Sequence, residues 1–406
     1  MKNLLLCTIS LTAASSLWLW AEENSVNNMG RPAYWLQSVV REYEQVIVGE
    51  RALKMGEIQF LGIAARKLGL AGEKEACLQA IATTEDAMKR LRAEVDREPI
   101  LRELAGAYAA AGDFKRARKI ATRINYWLQK IYSLRFIGEA ALRLGPEEET
   151  KISLANLIKY SHSGSDDDNR HDMGLRDAAK LMSKMNRIDE AQVLAKKIKN
   201  VHRRGEAFAS LAQVLAAGGK SGHIVELVKG LKDRSACREV FCAAAEGCAI
   251  SGNTKEYRQL VQKARDEILE MDGELKPYHL IRLARTQIRS GHGKDALMTI
   301  EGIKPGNNVE RYKVLLLHAE ACLSAADKKG AATKAERAVK TLASAKAGKD
   351  IVSRWSLGEL HHQTARLLAL LGWREKLREW IENIDARDLR VRAFFGAVEG
   401  INAENP

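Results

Sequence analysis

Five short stretches carry the residue types from which catalytic and metal sites are built. HAEAC, 318–322, contains the H-x-E of zinc deaminases. That chemistry needs a downstream P-C-x-x-C to complete the ligand set, and no cysteine follows Cys322. GELHHQ, 358–363, offers a single E-x-x-H, Glu359 to His362, where a di-iron bundle needs two such helices and two further glutamates. GHGKDA, 291–296, matches the dinucleotide pattern G-x-G-x-x-A, which holds a pyrophosphate only between a strand and a helix. SDDDN, 165–169, is acidic but lacks the alternating ligands, the glycine and the closing glutamate of a calcium loop. The fifth is the cysteine cluster at 237, 242 and 248, which with Cys77 and Cys322 leaves an odd number once Cys7 is set aside with the leader. An oxidising compartment invites a disulfide reading of such cysteines, yet no C-x-x-C occurs and zinc sites need tighter spacing. Buried thiols packing as small hydrophobes are expected instead. No G-x-S-x-G, H-E-x-x-H or P-loop is present, so the expectation is no catalytic residue, no metal and no cofactor.

The elements that would have to position any site are helical. The 406-residue chain is 46% hydrophobic, only 6% aromatic, and holds six prolines, a balance that argues against an all-β protein. Residues 1–21 stand apart. Lys2 precedes an apolar stretch over 4–20, and Ala21 is followed by Glu22 and Glu23. This is a secretory signal pattern, short for a membrane span. The expectation is a periplasmic or secreted protein without a span in its mature chain. Lys and Arg number 65 against 52 Asp and Glu, a formal charge of +13. No basic arm or block stands out, which disfavours a nucleic-acid partner.

A repeat organises the rest. Helix-like stretches end at Gly72, Gly112, Gly145, Asn186, Gly219, Gly252, Gly291, Ala326 and Gly372, 33 to 46 residues apart. Periods of this size mean stacked helical hairpins. Gly and Asn tolerate the left-handed conformation that ends a helix; Ala326 is the exception. Seven residues before each terminator stand Ala65, Ala105, Gly138, Ala179, Ala212, Ala245, Ala284, Ala319 and Ala365. Eleven before, eight of nine residues are large and apolar, with His361 the ninth. A large and a small residue four apart share one helix face, so the small one marks where the paired helix crosses closely.

This pattern, with Ala117, Ala191, Ala296 and Ala331 five past their turns, resembles the tetratricopeptide repeat in a degenerate form. Cys77, Thr150, Ile224, Tyr257 and Leu377 stand where the family has that second alanine. The resemblance implies an all-α, right-handed superhelical solenoid of about nine hairpins over residues 55–385. It follows a signal peptide (1–21) and a segment (22–54) whose residues 32–50 form a leading helix. A capping helix and tail (386–406) close the last repeat, and SHSGSDDDNRHDMG, 161–174, reads as a polar loop. In the family the first helix of each pair lines the concave, ligand-binding face. Carried over, the lining positions fall ten, six and two before each terminator. Ten before are Arg102, Arg135 and Arg176; six before, Arg66, Lys180, Arg285 and Arg366; two before, Arg143, Lys184 and Arg289. These ten cations face three acids, Glu139, Glu246 and Glu320. Such a groove attracts carboxylates, which arginine can hold bidentately. The expected function is a non-enzymatic scaffold binding an extended, acidic protein segment. The alternative is a helical domain that binds cell-wall polymer or assists a cell-wall enzyme.

Overall fold

The computed structural model describes residues 28–48, 53–91, 96–162, 168–229, 231, 233–271, 276–305, 308–345 and 354–404. Among them are twenty α-helices and two short 3-10 turns, with no strand. None of these helices is long and apolar enough to cross a membrane. The expected leader, 1–21, lies outside the described residues, as do Cys7 and the acidic run at 165–167.

The chain forms two compact units. The larger spans 52–350 and holds eight hairpins. In chain order after α1 (Pro32–Val48) they are α2 (Met55–Leu70) with α3 (Lys74–Lys89), α4 (Glu98–Ala110) with α5 (Phe114–Thr122), α6 (Trp127–Leu144) with α7 (Glu147–His162), and α8 (Asp168–Lys184) with α9 (Ile188–Lys197). Then follow α10 (Val201–Ala217) with α11 (Ile224–Lys229), α12 (Arg234–Ile250) with α13 (Thr254–Leu269), α14 (Lys276–Arg289) with α15 (Gly293–Glu301), and α16 (Asn308–Ser324) with α17 (Lys328–Ala345). The smaller unit is assembled from both ends of the chain, 1–51 and 351–406. It contains α1, the ninth hairpin of α18 (Arg354–Leu370) and α19 (Arg374–Glu382), and α20 (Arg387–Glu404). The fold is an all-α solenoid of helical hairpins.

Every expected terminator has positive φ, from +60° at Asn186 to +98° at Gly145, and no other described residue does. The turn is short, three residues between α4 and α5, because the residue after the left-handed one both closes one helix and opens the next. Asp113 donates its backbone N–H to the Tyr108 carbonyl (2.9 Å) and accepts from the Arg116 N–H (2.9 Å) through its side chain. The first bond is the six-residue closure of a Schellman motif, and the second is an N-cap. The same closure recurs at Glu73, Arg187, Lys220, Asn253, His292, Asp327 and Trp373. It is missing after Gly145, because Pro146 has no N–H to give. GHGKDA is such a turn, with Gly291 at φ +77°.

The small residues seven before each terminator are all buried. Glycines bring neighbouring helices closer still. A Cβ on Gly247 of α12 would lie 2.2 Å from the Gln213 carbonyl oxygen of α10, and one on Gly205 would lie 2.6 Å from the Ala236 Cβ. The second-helix position is buried whether it holds Ala117, Ala191, Ala296 and Ala331 or Cys77, Thr150, Ile224, Tyr257 and Leu377. The five cysteines are free and buried, and burial raises the thiols of Cys77, Cys242 and Cys248 to about 11.

Two segments differ from expectation. The polar loop read over 161–174 is shorter, because α7 runs to His162 and α8 already begins at Asp168. Asp172, buried in α8, accepts from the backbone N–H groups of Lys199 (3.0 Å) and Asn200 (2.6 Å), which is why this stretch is ordered into the helix. The leading helix α1 packs on α20, so the two ends expected to cap opposite termini lie in one unit. Trp35 is fully buried, lies 6.1 Å from the Phe394 ring, and donates to the Met29 carbonyl at 2.9 Å. Glu42 is clamped by Arg390 (3.0 Å) and Arg387 (3.7 Å).

Candidate binding groove

In the larger unit, the first helices α6, α8, α10, α12 and α14 of five consecutive hairpins line one cavity of about 530 Å³. A recess of about 290 Å³ shares Glu239, Tyr278 and Arg282 with it and reaches Arg285 and Arg289. Lys180 and Lys184 of α8, Arg135 of α6 and Arg282 of α14 supply its cations. Asp177, Glu206, Glu239 and Glu139 supply an equal number of acids.

The expected basic positions are all on first helices, Arg66 on α2, Arg102 on α4, Arg366 on α18 and the rest on α6, α8 and α14, but most are already matched. Arg66 Nε meets Glu103 at 3.0 Å, with its guanidinium 3.9 Å from the Phe136 ring centre. Arg102 bonds the other Glu103 oxygen (2.5 Å) and Gln129 (2.7 Å). Arg135 lies 3.9 Å from both Glu139 and Asp177 and 5.0 Å from the Tyr132 ring centre. Arg176 joins Asp177 (2.7 Å) to Glu206 (3.2 Å), and Lys180 shares Glu206 at 2.8 Å. Farther along, Arg282 meets Glu239 at 2.6 Å and Arg289 meets Glu246 at 3.6 Å. The groove floor is therefore a ladder of alternating charges from one hairpin to the next. Arg143, Lys184 and Arg285 are different: all three are exposed, and none makes an ion pair among the described residues. Arg366 is on α18 in the smaller unit, half-buried.

Two of the matching acids, Glu139 and Glu246, stand on the three stripes read from the sequence, and four, Glu103, Asp177, Glu206 and Glu239, stand off them. Glu103 and Asp177 fall nine before their terminators, and Glu206 and Glu239 thirteen before. The same register would have found them. Their environments differ. Burial pushes the Glu206 carboxyl up, but the Lys180 hydrogen bond and the Lys180 and Arg176 charges outweigh it, leaving it below the usual range. Burial raises Glu239 above that range against the opposing charge of Arg282. Beneath the groove, Arg238 of α12 meets His279 of α14 through Nη2 and Nε2 at 3.2 Å. Burial first, then the charges of Arg238 and Arg282, lower His279 to about 4.

The motif residues set aside in the sequence fall elsewhere. Burial lowers His318 and raises Cys322. Glu359 bonds Gln363 at 2.6 Å and His362 meets Glu399 at 2.9 Å. Among the described residues, no group of three or more His, Cys, Asp and Glu side chains is placed to hold a metal.

No family model and no curated protein matches the chain. Among solved structures it is similar to a circular tandem repeat protein with novel repeat topology and enhanced subunit contact surfaces, at 15% identity over 91% of each chain and a TM-score of 0.20. The chain's own turns and crossings are what make it a helical-repeat solenoid.

Proposed function

We propose that the chain is an exported, non-enzymatic scaffold of degenerate tetratricopeptide-type hairpins, and that its first-helix groove holds an extended protein segment bearing carboxylates. One observation carries this reading. Five successive first helices line a single cavity, so a ligand following it meets equivalent positions one after another. The floor cations are already matched, so a ligand acid displaces nothing only at the uncommitted Lys184 and Arg285, with Arg143 beyond the cavity.

Fluorescence anisotropy of a labelled extended glutamate-rich peptide tests the reading. Lys184→Glu with Arg285→Glu is expected to weaken binding at least tenfold with helicity unchanged. Raising the salt should weaken the wild type, because exposed charges are screened within about 8 Å at physiological ionic strength. Equal binding by wild type and variant would sink the acidic-segment reading.

A second reading has its own observation. Glu206 and Glu239 line one cavity with their carboxyls pushed in opposite directions, which is how acid and base roles are divided between two carboxylates. A domain that grips and cleaves an envelope polymer would draw its two carboxylates from this pair, of which Glu239 is the one whose charge burial disfavours. Release of soluble fragments from purified cell-wall polymer, lost on Glu239→Gln, would favour that reading; no fragments from the wild type would exclude it.

A further inference from the structure

We propose that α5 and the two clefts beside it form a docking surface for an anionic phospholipid bilayer, separate from the first-helix groove. α5 reads FKRARKIAT, four cations in nine residues with no acid, and Arg123 follows it. Phe114, Ala117, Ile120 and Ala121 are buried. Lys115, Lys119 and Arg123, spaced four apart on one stripe, are exposed and make no ion pair among the described residues.

α5 is a ridge between two cavities of about 470 Å³ each. Lys115, Lys119 and Arg123 border one of them. The other brings Arg118, Lys130 and Lys159 around Ala121, Leu134 and Tyr160, with the Lys130 ammonium 5.1 Å from the Tyr160 ring centre. The acids nearby are engaged. Glu85 accepts from Tyr108 (2.8 Å) and Arg116 (3.1 Å), Glu149 pairs with Arg118, Asp113 caps α5, and Glu98 accepts from the backbone N–H groups of Asn125 and Tyr126. At the C-terminal end of the ridge Tyr126 is 49% exposed, its ring 5.9 Å from that of Trp127.

Cations alone would suit any polyanion. The apolar walls beneath Lys130 and Lys159 and the half-exposed Tyr126 favour a bilayer, where phosphates lie directly above hydrocarbon and aromatic side chains settle at that boundary. A sugar–phosphate polymer would leave the apolar lining wet. Each basic residue near an anionic membrane strengthens binding about fivefold, an attraction that fades within a Debye length.

The test is flotation of the full chain with vesicles of phosphatidylcholine alone and with about 30% phosphatidylglycerol, a fraction that sets a surface potential comparable to that of natural leaflets. The wild type and its variants share residues 1–21, so a difference between them belongs to the substituted residues. The wild type should prefer the anionic vesicles at least tenfold, and Lys115→Glu/Lys119→Glu/Arg123→Glu should abolish that preference. The milder Lys115→Gln/Lys119→Gln/Arg123→Gln, with circular dichroism unchanged, should reduce it several-fold, and Tyr126→Ala should weaken binding to both. The proposal is overturned if the wild type shows no preference, if the reversed variant keeps it, or if soluble heparin binds while vesicles do not.

Discussion

The larger unit and the smaller one are built from the same helical hairpins, yet they are held together over different distances along the chain. In the larger unit the tight crossings join one repeat to the next: Gly62 to Glu103, Gly69 to Ala110, Gly247 to Gln213. In the smaller unit α1 pairs with α20, and Glu42 and Arg390 are 348 residues apart. A solenoid's stability is a sum of neighbour terms. The terminal pairing instead closes a long loop, whose entropic cost grows slowly with length, and its residues must offset that cost at one place.

The largest effect should come from removing the side chain at the centre of that pairing. Trp35→Ala deletes a fully buried indole, a change worth about 3–5 kcal/mol. Hydrogen exchange should show α1 and α20 losing protection while α4, α10 and α12 keep theirs. Equal losses in every helix would mean that the two units unfold as one and that the contrast between them is false.

The next prediction tests a polar contact inside the repeats. His279 has its pKa lowered to about 4, against an ordinary value of 6.5. Its neutral form accepts from Arg238. Above 6.5 neither state binds the proton and the contribution is complete. As pH falls below 6.5 the unfolded chain takes up a proton that the folded one refuses, so stability is lost down to about 4 at up to ~1.4 kcal/mol per pH unit. Urea unfolding at pH 7 and pH 5 should show the loss, and His279→Gln should flatten it. An equal slope in the variant would assign the pH dependence to other groups.

A steric pair sharpens the comparison. Ala212 is fully buried at its crossing, and Gly396 of α20 faces the His362 backbone of α18 so closely that an added Cβ has no room. Ala212→Leu should cost roughly 1–3 kcal/mol by overpacking, and Gly396→Ala a similar amount. Calorimetry should report the first in the repeats and the second in the terminal unit. An unchanged melting temperature for Ala212→Leu would contradict the repeat register.

What the sequence revealed follows the same division. All nine turns were legible because a left-handed residue must be Gly or Asn unless it accepts strain, and that preference is written locally. The small residues seven before them were legible for the same reason. The pairing of α1 with α20 was not, because nothing near Trp35 or Glu42 encodes a partner beyond residue 386. The groove was legible in its cations and in Glu139 and Glu246, and not in Glu103, Asp177, Glu206 and Glu239. Arg102 and Arg176 look like open charges until Glu103 and Asp177, the very next residues, are seen to turn onto them. A helix face is wider than three stripes, so adjacent positions can serve one face.

The smallest effect should come from the one terminator that departs from the rule. Ala326 sits at φ +63° and still makes the full closure, with the Asp327 N–H donating to the Cys322 carbonyl at 2.8 Å and the Asp327 side chain accepting from Gly330. The turn is over-determined by its hydrogen bonds, and the alanine Cβ accepts the strain. Glycine would relieve about 1–2 kcal/mol of that strain and give back about 0.4–1 through the greater freedom of the unfolded chain. Ala326→Gly should therefore stabilise the protein by up to about 1.5 kcal/mol, and chemical denaturation should show a higher midpoint with an unchanged slope. Gly252→Ala, at φ +71° in the same kind of turn, should move the midpoint the other way by a similar amount. If both substitutions shift it in the same direction, the left-handed turns are not what sets the stability of the hairpins.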